Sequence, residues 1–261
     1  QSVKSSEKLA KGYPRWKFQS FYFFSLSGAV GAYLSKENSF TLPFAIILTD
    51  FVILTRKFGS IRKRLILIVP YLLFGAAVWY ITLLISWKVP LSKISSITVA
   101  GAREPINQIH YFYTQLHVVS RYIALLFLPG NQNVDYDLAL ITTPFTWSAV
   151  LPFILFVSLI LFAFKGAKKY PLISFGILLF FLTLLVESSF FPIDDFMFEH
   201  RLYLPSVGFF IARSALFFSL ERKCLAKRMG YGILFLLILL LSYLTYKLNF
   251  VWKTEYSLWN D

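Results

Sequence analysis

A chain of 261 residues that is 57% hydrophobic and 19% aromatic, with a mean hydropathy of +0.64, is too apolar for an ordinary soluble domain. Its net charge of +13 would point to nucleic acid in a soluble protein, but between long apolar segments it points to cytoplasmic loops and anionic lipid, so nucleic acid is set aside as a partner. The single cysteine, Cys224, excludes an intrachain disulfide and offers no thiolate metal set.

Taken in chain order, residues 1–17 form a basic lead-in, and the start at Gln1 without Met reads as an internal portion of a longer chain. Hydrophobic runs then predict seven membrane-spanning helices over 18–34, 40–55, 65–87, 145–164, 171–186, 202–220 and 229–250. Gly28 and Gly31 offer a small-residue packing face on the first. Between the third and fourth lies 88–143, a long region rather than a simple loop. Within it, Tyr111 to Leu128 is apolar on one side and carries His110, Gln115, His117 and Arg121 on the other. Residues 251–261 form a short tail. The fold class expected is all-α: a polytopic helical membrane protein with an amphipathic or re-entrant helix at the outer face.

Charge asymmetry sets the orientation. The lead-in and the loops at 56–64, 165–169 and 221–228 hold 17 of the 26 Lys and Arg residues. All four lie on the cytoplasmic side only if 111–128 does not cross the bilayer. The N-terminus is then inside and the C-terminus outside. Three polar clusters, 35–39, 110–137 and 187–203, then share the outer face.

Those clusters supply the candidate site. Lys36, Glu37 and Asn38 sit in a tight turn, where Lys36 suits an anionic headgroup or phosphate and Glu37 a substrate hydroxyl; a solvated Lys–Glu pair is the bland alternative. Gln115, His117 and Arg121 occupy two turns of helix, and an arginine can fork onto phosphate oxygens. Asp135 and Asp137 give a weak signal for a divalent cation; no metal ligand is assigned. The densest set is Glu187, Asp194, Asp195, Glu199, His200 and Arg201, which suits either proton transfer and leaving-group stabilisation or a salt-bridge cluster, with Arg201 and Glu199 a structural pair. Inside the apolar segments, Asp50 is expected to pair with Arg56 or Lys57. Arg213, costing roughly 2.5–3.5 kcal/mol at a helix centre, is expected to snorkel or pair in the bundle.

Four stretches carry a resemblance: SKENSFTLP (35–43) leading into ILTDFVI, YTQLHVVSRYIALLFLPGNQNVDYD (113–137), FEHRLYLPSVGF (198–209), and VWKTEYSLWND at the end. Together they resemble the membrane module of the tetratricopeptide-repeat transmembrane glycosyltransferases, the O-mannosyltransferase-like group with a GT-C type fold, in a bacterial form. The resemblance covers about residue 15 onward. It implies transfer of a sugar from a polyprenyl-phosphate donor to a protein acceptor at the outer or lumenal face. It also implies membrane lipids and other membrane subunits as partners, in a bacterial inner membrane or, alternatively, the endoplasmic reticulum. Lys36, Arg121, His200 and Arg201 would then meet the lipid-borne phosphate or donor, and Glu37, Asn38, Gln115, Glu199 and Tyr203 would orient substrate. The family's acidic pair belongs to a first outer loop that these residues do not include. Its role is not transferred to Asp194 and Asp195, and the catalytic residue is left unassigned. Two alternatives stand beside this reading: a non-catalytic membrane subunit or scaffold, and a transporter or polymerase of lipid-linked sugars.

Overall fold

A computed structural model describes residues 15–54, 61–86, 107–130, 132–133, 136, 138–186, 188, 196–224 and 227–251. Glu187, Asp194 and Asp195, Asp135 and Asp137, and Asp50's expected partners Arg56 and Lys57 lie outside them. The described residues are helical or irregular, with no strand. Eight α-helices follow in order: α1 (Arg15–Ser35), α2 (Leu42–Thr49), α3 (Ile61–Ser86), α4 (Gln108–Phe127), α5 (Trp147–Gly166), α6 (Pro171–Leu184), α7 (Tyr203–Cys224) and α8 (Lys227–Val251). Short 3-10 turns, Glu37–Thr41 and Glu199–Leu202, lead into α2 and α7.

Local chemistry explains the boundaries. Pro43 and Pro171 sit in the first turns of α2 and α6, where a missing N–H costs nothing and the ring presets the helical φ. Asn107 caps α4, its side chain accepting from the Ile109 N–H at 2.9 Å. The apolar run expected as one span over 40–55 is divided into a 3-10 turn, α2, and a π-helical turn over Asp50–Leu54. Such a π turn interrupts the regular i to i−4 ladder. Asp50, buried, begins that turn.

Among the described residues, two helices are long and apolar enough to cross a membrane: Trp147–Gly166 and Glu199–Ser219. Residues 38–54, 68–78, 171–184 and 235–250 form shorter apolar helices. Length accounts for part of the difference from the seven expected. The 14 residues of α6 rise about 21 Å, less than the hydrocarbon thickness of about 30 Å.

Packing is organised around two cores. In one, Ala29 and Tyr33 of α1 meet Tyr71 of α3. The Tyr33 hydroxyl donates to the Tyr71 carbonyl at 3.0 Å, and the Tyr71 hydroxyl donates to Ser25 Oγ at 2.8 Å. Gly75, one turn past Tyr71, leaves room for the Tyr33 ring, which lies 3.3 Å from where a Cβ would stand. Gly28 and Gly31 do not form the packing face expected of them: among the described residues nothing lies within 4 Å of a Cβ at either. The reason is angular, since the stripe of α1 turned inward is that of Ala29 and Tyr33, four residues apart.

The second core joins α4, α5, α6 and α7 through Leu116, Val118, Val119, Tyr122, Ala149, Phe156, Phe180, Leu184, Met197 and Leu202. Its densest contact is α6 against α7. There a Cβ on Gly176 would stand 2.4 Å from the Gly208 carbonyl oxygen, and one on Gly208 would stand 2.6 Å from the Gly176 carbonyl oxygen. The two backbones touch, and only glycine at both positions permits it. Arg213, nearly three turns into α7, lays its guanidinium 5.6 Å from the centre of the Phe127 ring at the end of α4.

Candidate functional site

The two 3-10 turns meet in space. Lys36 just before the first, Asn38, Ser39 and Thr41 within it, His200 and Arg201 from the second, and Tyr203 and Leu204 at the start of α7 line one cleft of about 410 Å³. Ala32 of α1, Leu42 and Ala45 of α2, and Leu179 and Thr183 of α6 complete its apolar wall. Residues more than 160 positions apart thus give the cleft a lysine, an arginine and a histidine. Arg201 is buried at 5% exposure, whereas Lys36, His200 and Tyr203 are exposed.

Each turn is held by its own hydrogen bonds. In the first, Ser39 Oγ donates to the Ala32 carbonyl at 2.6 Å, Thr41 Oγ1 donates to the Asn38 carbonyl at 2.7 Å, and the Ser39 N–H donates to the Lys36 carbonyl at 3.1 Å. Asn38 is 7% exposed, and its Oδ1 accepts no hydrogen bond. In the second, the Phe198 ring stacks on His200 at 5.0 Å between centroids and lies 5.2 Å from the Arg201 guanidinium. Phe198 therefore contacts both side chains.

The base under Phe198 comes from α4. The Tyr122 hydroxyl donates to the Phe198 carbonyl at 2.9 Å and accepts from its N–H at 3.0 Å. Gln115 donates from Nε2 to the Phe196 carbonyl at 3.0 Å. Gln115 was expected on the polar face of this helix; it lies instead in the core, at 1% exposure. Tyr111, Gln115, Val118 and Tyr122 recur every three or four residues, so the buried stripe carries Gln115 inward.

Glu199 is likewise drawn away from the cleft, by the segment after α4. Its carboxylate accepts from Gln132 Nε2 at 2.7 Å, from the Asn133 N–H at 3.1 Å and from the Tyr136 hydroxyl. Burial, and then the bond to Glu199, push the Tyr136 phenol up to about 12. Arg121 sits over the Tyr136 ring at 5.8 Å, and it too lines no part of the cleft. His117, half-buried one turn before Arg121, is held below its ordinary value, first by burial and then by that arginine.

Five of the nine candidates therefore share the cleft: Lys36, Asn38, His200, Arg201 and Tyr203. Gln115, Arg121 and Glu199 belong to its support, and the side chain of Glu37 lies outside the described residues. Sequence reasoning missed Tyr122, Gln132 and Tyr136. Tyr122 had a signal, since it continues the stripe of Tyr111 and Val118; the other two sit in an aperiodic loop and had none. Among the described residues no group of three or more His, Cys, Asp or Glu is placed to hold a metal ion. Compared with known proteins, the chain matches no family model, no curated protein and no solved structure.

Proposed function

We propose that this chain is the membrane module of a GT-C type glycosyltransferase. It takes a sugar from a polyprenyl-phosphate donor and delivers it to a protein acceptor at the outer face. The observation that carries the reading is the convergence of Lys36, His200 and Arg201 on one cleft with an apolar wall. Cations beside an apolar groove suit a ligand that is part phosphate and part hydrocarbon. Support for a lipid environment comes from the exposed faces of Phe21, Phe24, Leu151, Ile154, Phe235 and Leu236. In this reading seven helices span the membrane, the basic loops lie in the cytoplasm, and α4 rests at the outer face. The membrane is a bacterial inner membrane, with the endoplasmic reticulum the alternative.

The chemistry follows from the charges. An acceptor hydroxyl oxygen attacks the anomeric carbon, the bond from that carbon to the phosphate oxygen breaks, and the polyprenyl phosphate leaves with the electron pair. The acceptor proton passes to a carboxylate at the outer face, acting as general base. Lys36 and Arg201 stabilise the charge that grows on the departing phosphate.

A second reading, a non-catalytic subunit that keeps the cleft for lipid phosphate, draws on Glu199. The acid nearest the cationic pair in sequence is engaged by three donors of the 132–136 segment, which is a holding role.

The test uses the chain in lipid nanodiscs with a photoreactive polyprenyl-phosphate hexose. Crosslinks are expected in 36–45 and 200–204, displaced by polyprenyl phosphate but not by polyprenol. Arg201→Gln is expected to weaken binding about tenfold or more, the scale of a charge-assisted hydrogen bond. Equal displacement by polyprenol would refute a phosphate site. Binding without turnover selects the non-catalytic reading.

A further inference from the structure

Away from the cleft, α6 and α7 border a second groove, of about 500 Å³. Leu172 lines it from α6, and Phe210, Ser214, Ala215 and Phe218 line it from α7. The groove exists because Ser214 and Ala215 are small and lie between two rings, Phe210 and Phe218, at helical spacing on one face. Leu172, Phe210 and Phe218 are exposed, so the trough opens away from the bundle. The two helices run antiparallel, Gly176 meeting Ala212 and Gly208 meeting Phe180, which sets the start of α6 beside the later turns of α7. At that end stands the α5–α6 turn. The Lys169 and Tyr170 N–H groups both donate to the Gly166 carbonyl, at 2.9 and 2.7 Å, and the Lys169 ammonium lies 5.1 Å from the centre of the Tyr170 ring. Lys165, Lys168 and Lys169 are all exposed there, and the sequence of the turn holds no acid.

We infer that the groove and the three lysines form one site for an anionic glycerophospholipid of the cytoplasmic leaflet, with its phosphate at Lys165, Lys168 and Lys169 and one acyl chain along α7. Length selects the occupant. From Val207 to Phe218 the lining runs about 11 residues, about 16 Å of helix and roughly half of the hydrocarbon thickness of about 30 Å. That is the depth of one leaflet and suits a lipid chain, whereas a partner helix crossing the bilayer would need the full thickness. Charge selects the headgroup, since basic side chains at a membrane surface favour anionic over zwitterionic lipid. The site rests on the membrane placement read above, with the 165–169 turn inside, and on neither the cleft nor its sugar chemistry.

The whole chain in phosphatidylcholine nanodiscs is given a trace of phosphatidylglycerol or of phosphatidylcholine, each carrying a diazirine halfway along one acyl chain, and the crosslinked peptides are read by mass spectrometry. In the wild type the phosphatidylglycerol probe is expected to label Leu172 and 207–218 about tenfold more than the phosphatidylcholine probe, the scale of one or two lysines at a lipid surface. Unlabelled phosphatidylglycerol should displace it, and glycerol phosphate, which has no chain, should not. The triple variant Lys165→Gln, Lys168→Gln, Lys169→Gln is expected to bring the two probes to within about twofold. Ala215→Phe, which fills the groove, is expected to abolish the phosphatidylglycerol excess over 207–218. Equal labelling by the two probes in the wild type, or displacement by glycerol phosphate, would overturn the site, and these arms decide alone should a variant not fold. An excess that survives the lysine changes places the headgroup elsewhere, and one that survives Ala215→Phe shows that the lysines act without the groove; each overturns the inference. No labelling of α7 by either probe removes the site together with the membrane placement of α7. Failure of polyprenyl-phosphate crosslinking at 36–45 and 200–204 overturns the cleft reading and leaves this site standing.

Discussion

Adding a single methyl group to Gly176 tests the α6–α7 crossing on which the cleft depends. An alanine Cβ there would stand 2.4 Å from the Gly208 carbonyl oxygen, 2.6 Å from the Ala212 nitrogen and 2.8 Å from the Ala212 Cβ. Two of these three atoms are backbone, so no side chain can swing aside. Restoring ordinary contact requires the helices to separate by about 1 Å, and a gap of that size forfeits up to about half of each dispersion well along the crossing. Overpacking of this kind costs about 1–3 kcal/mol. Against it stands the helix propensity gained from Gly to Ala, about 1 kcal/mol. Separation offsets or exceeds that gain, and Gly176→Ala is expected to lower stability by up to about 2 kcal/mol, where Gly28→Ala gains. The control is Gly28→Ala, where among the described residues nothing lies within 4 Å of the new Cβ and only the propensity gain remains. Thermal unfolding in detergent, followed by tryptophan fluorescence, measures both. Because Leu179 and Thr183 of α6 and Leu204 of α7 line the cleft, polyprenyl-phosphate binding should weaken in Gly176→Ala and not in Gly28→Ala. If the two variants unfold and bind alike, the close crossing is wrong.

Tyr122→Phe removes the hydroxyl that both donates to and accepts from the Phe198 backbone; the carbonyl keeps the Arg201 N–H at 3.2 Å, while the Phe198 N–H loses its acceptor, a cost of about 1–3 kcal/mol. A drop of that size in the same unfolding assay is expected, and a neutral result would refute the bridge. The clasp on Glu199 should fail in alkali. Tyr136 is raised above its ordinary value of about 10, so its contribution is complete below pH 10 and is lost as pH rises toward 12. Hydrogen exchange of 132–136 should rise over that window in the wild type, while Tyr136→Phe, without the ionisable hydroxyl, shows no such step. His117 runs the other way. Its depressed value favours the neutral imidazole in the folded state, so stability is complete above about pH 6.5 and declines below it. Comparing unfolding temperatures of wild type and His117→Gln from pH 8 to pH 5 should show the steeper acid loss in the wild type.

Segment-scale features were legible because they rest on runs of residues. Apolar length and flanking charge place α1 at Arg15–Ser35 against an expected 18–34, and α5 at Trp147–Gly166 against 145–164. What depends on angle or on long-range contact was not. Gln115 reads as polar, and only its phase relative to Tyr111 and Tyr122 turns it inward. Gly28 and Gly31 have the spacing of a packing face, yet the close approach falls at Gly176 and Gly208, 32 residues apart, where no local pattern pairs them. Glu199 looks like a partner for Arg201 two residues on, and it is the 132–136 segment that takes its carboxylate. The break of 40–55 into three helical forms leaves only local marks, Thr41 at the end of the 3-10 turn and Asp50 at the start of the π turn, in a run that is otherwise apolar enough to read as one span.

The candidate site is in effect two layers. The upper layer, Lys36, Asn38, His200 and Arg201, faces the cleft; the lower layer holds it without touching it. Arg201 lies over the Phe198 ring, the Phe198 backbone is bridged by Tyr122, and its neighbour Glu199 is tied to Gln132, Asn133 and Tyr136. A 3-10 turn of four residues has little internal stability of its own, so the position of the guanidinium is set by these external bonds. An arginine placed in this way loses little rotamer freedom when an anion arrives, and such preorganisation favours binding. The consequence separates support from contact. Tyr136→Phe and Tyr122→Phe, though outside the cleft, should weaken polyprenyl-phosphate binding only where Arg201 is present. In an Arg201→Gln background the same changes should add nothing, and an additive double mutant would show that the lower layer acts by some other route.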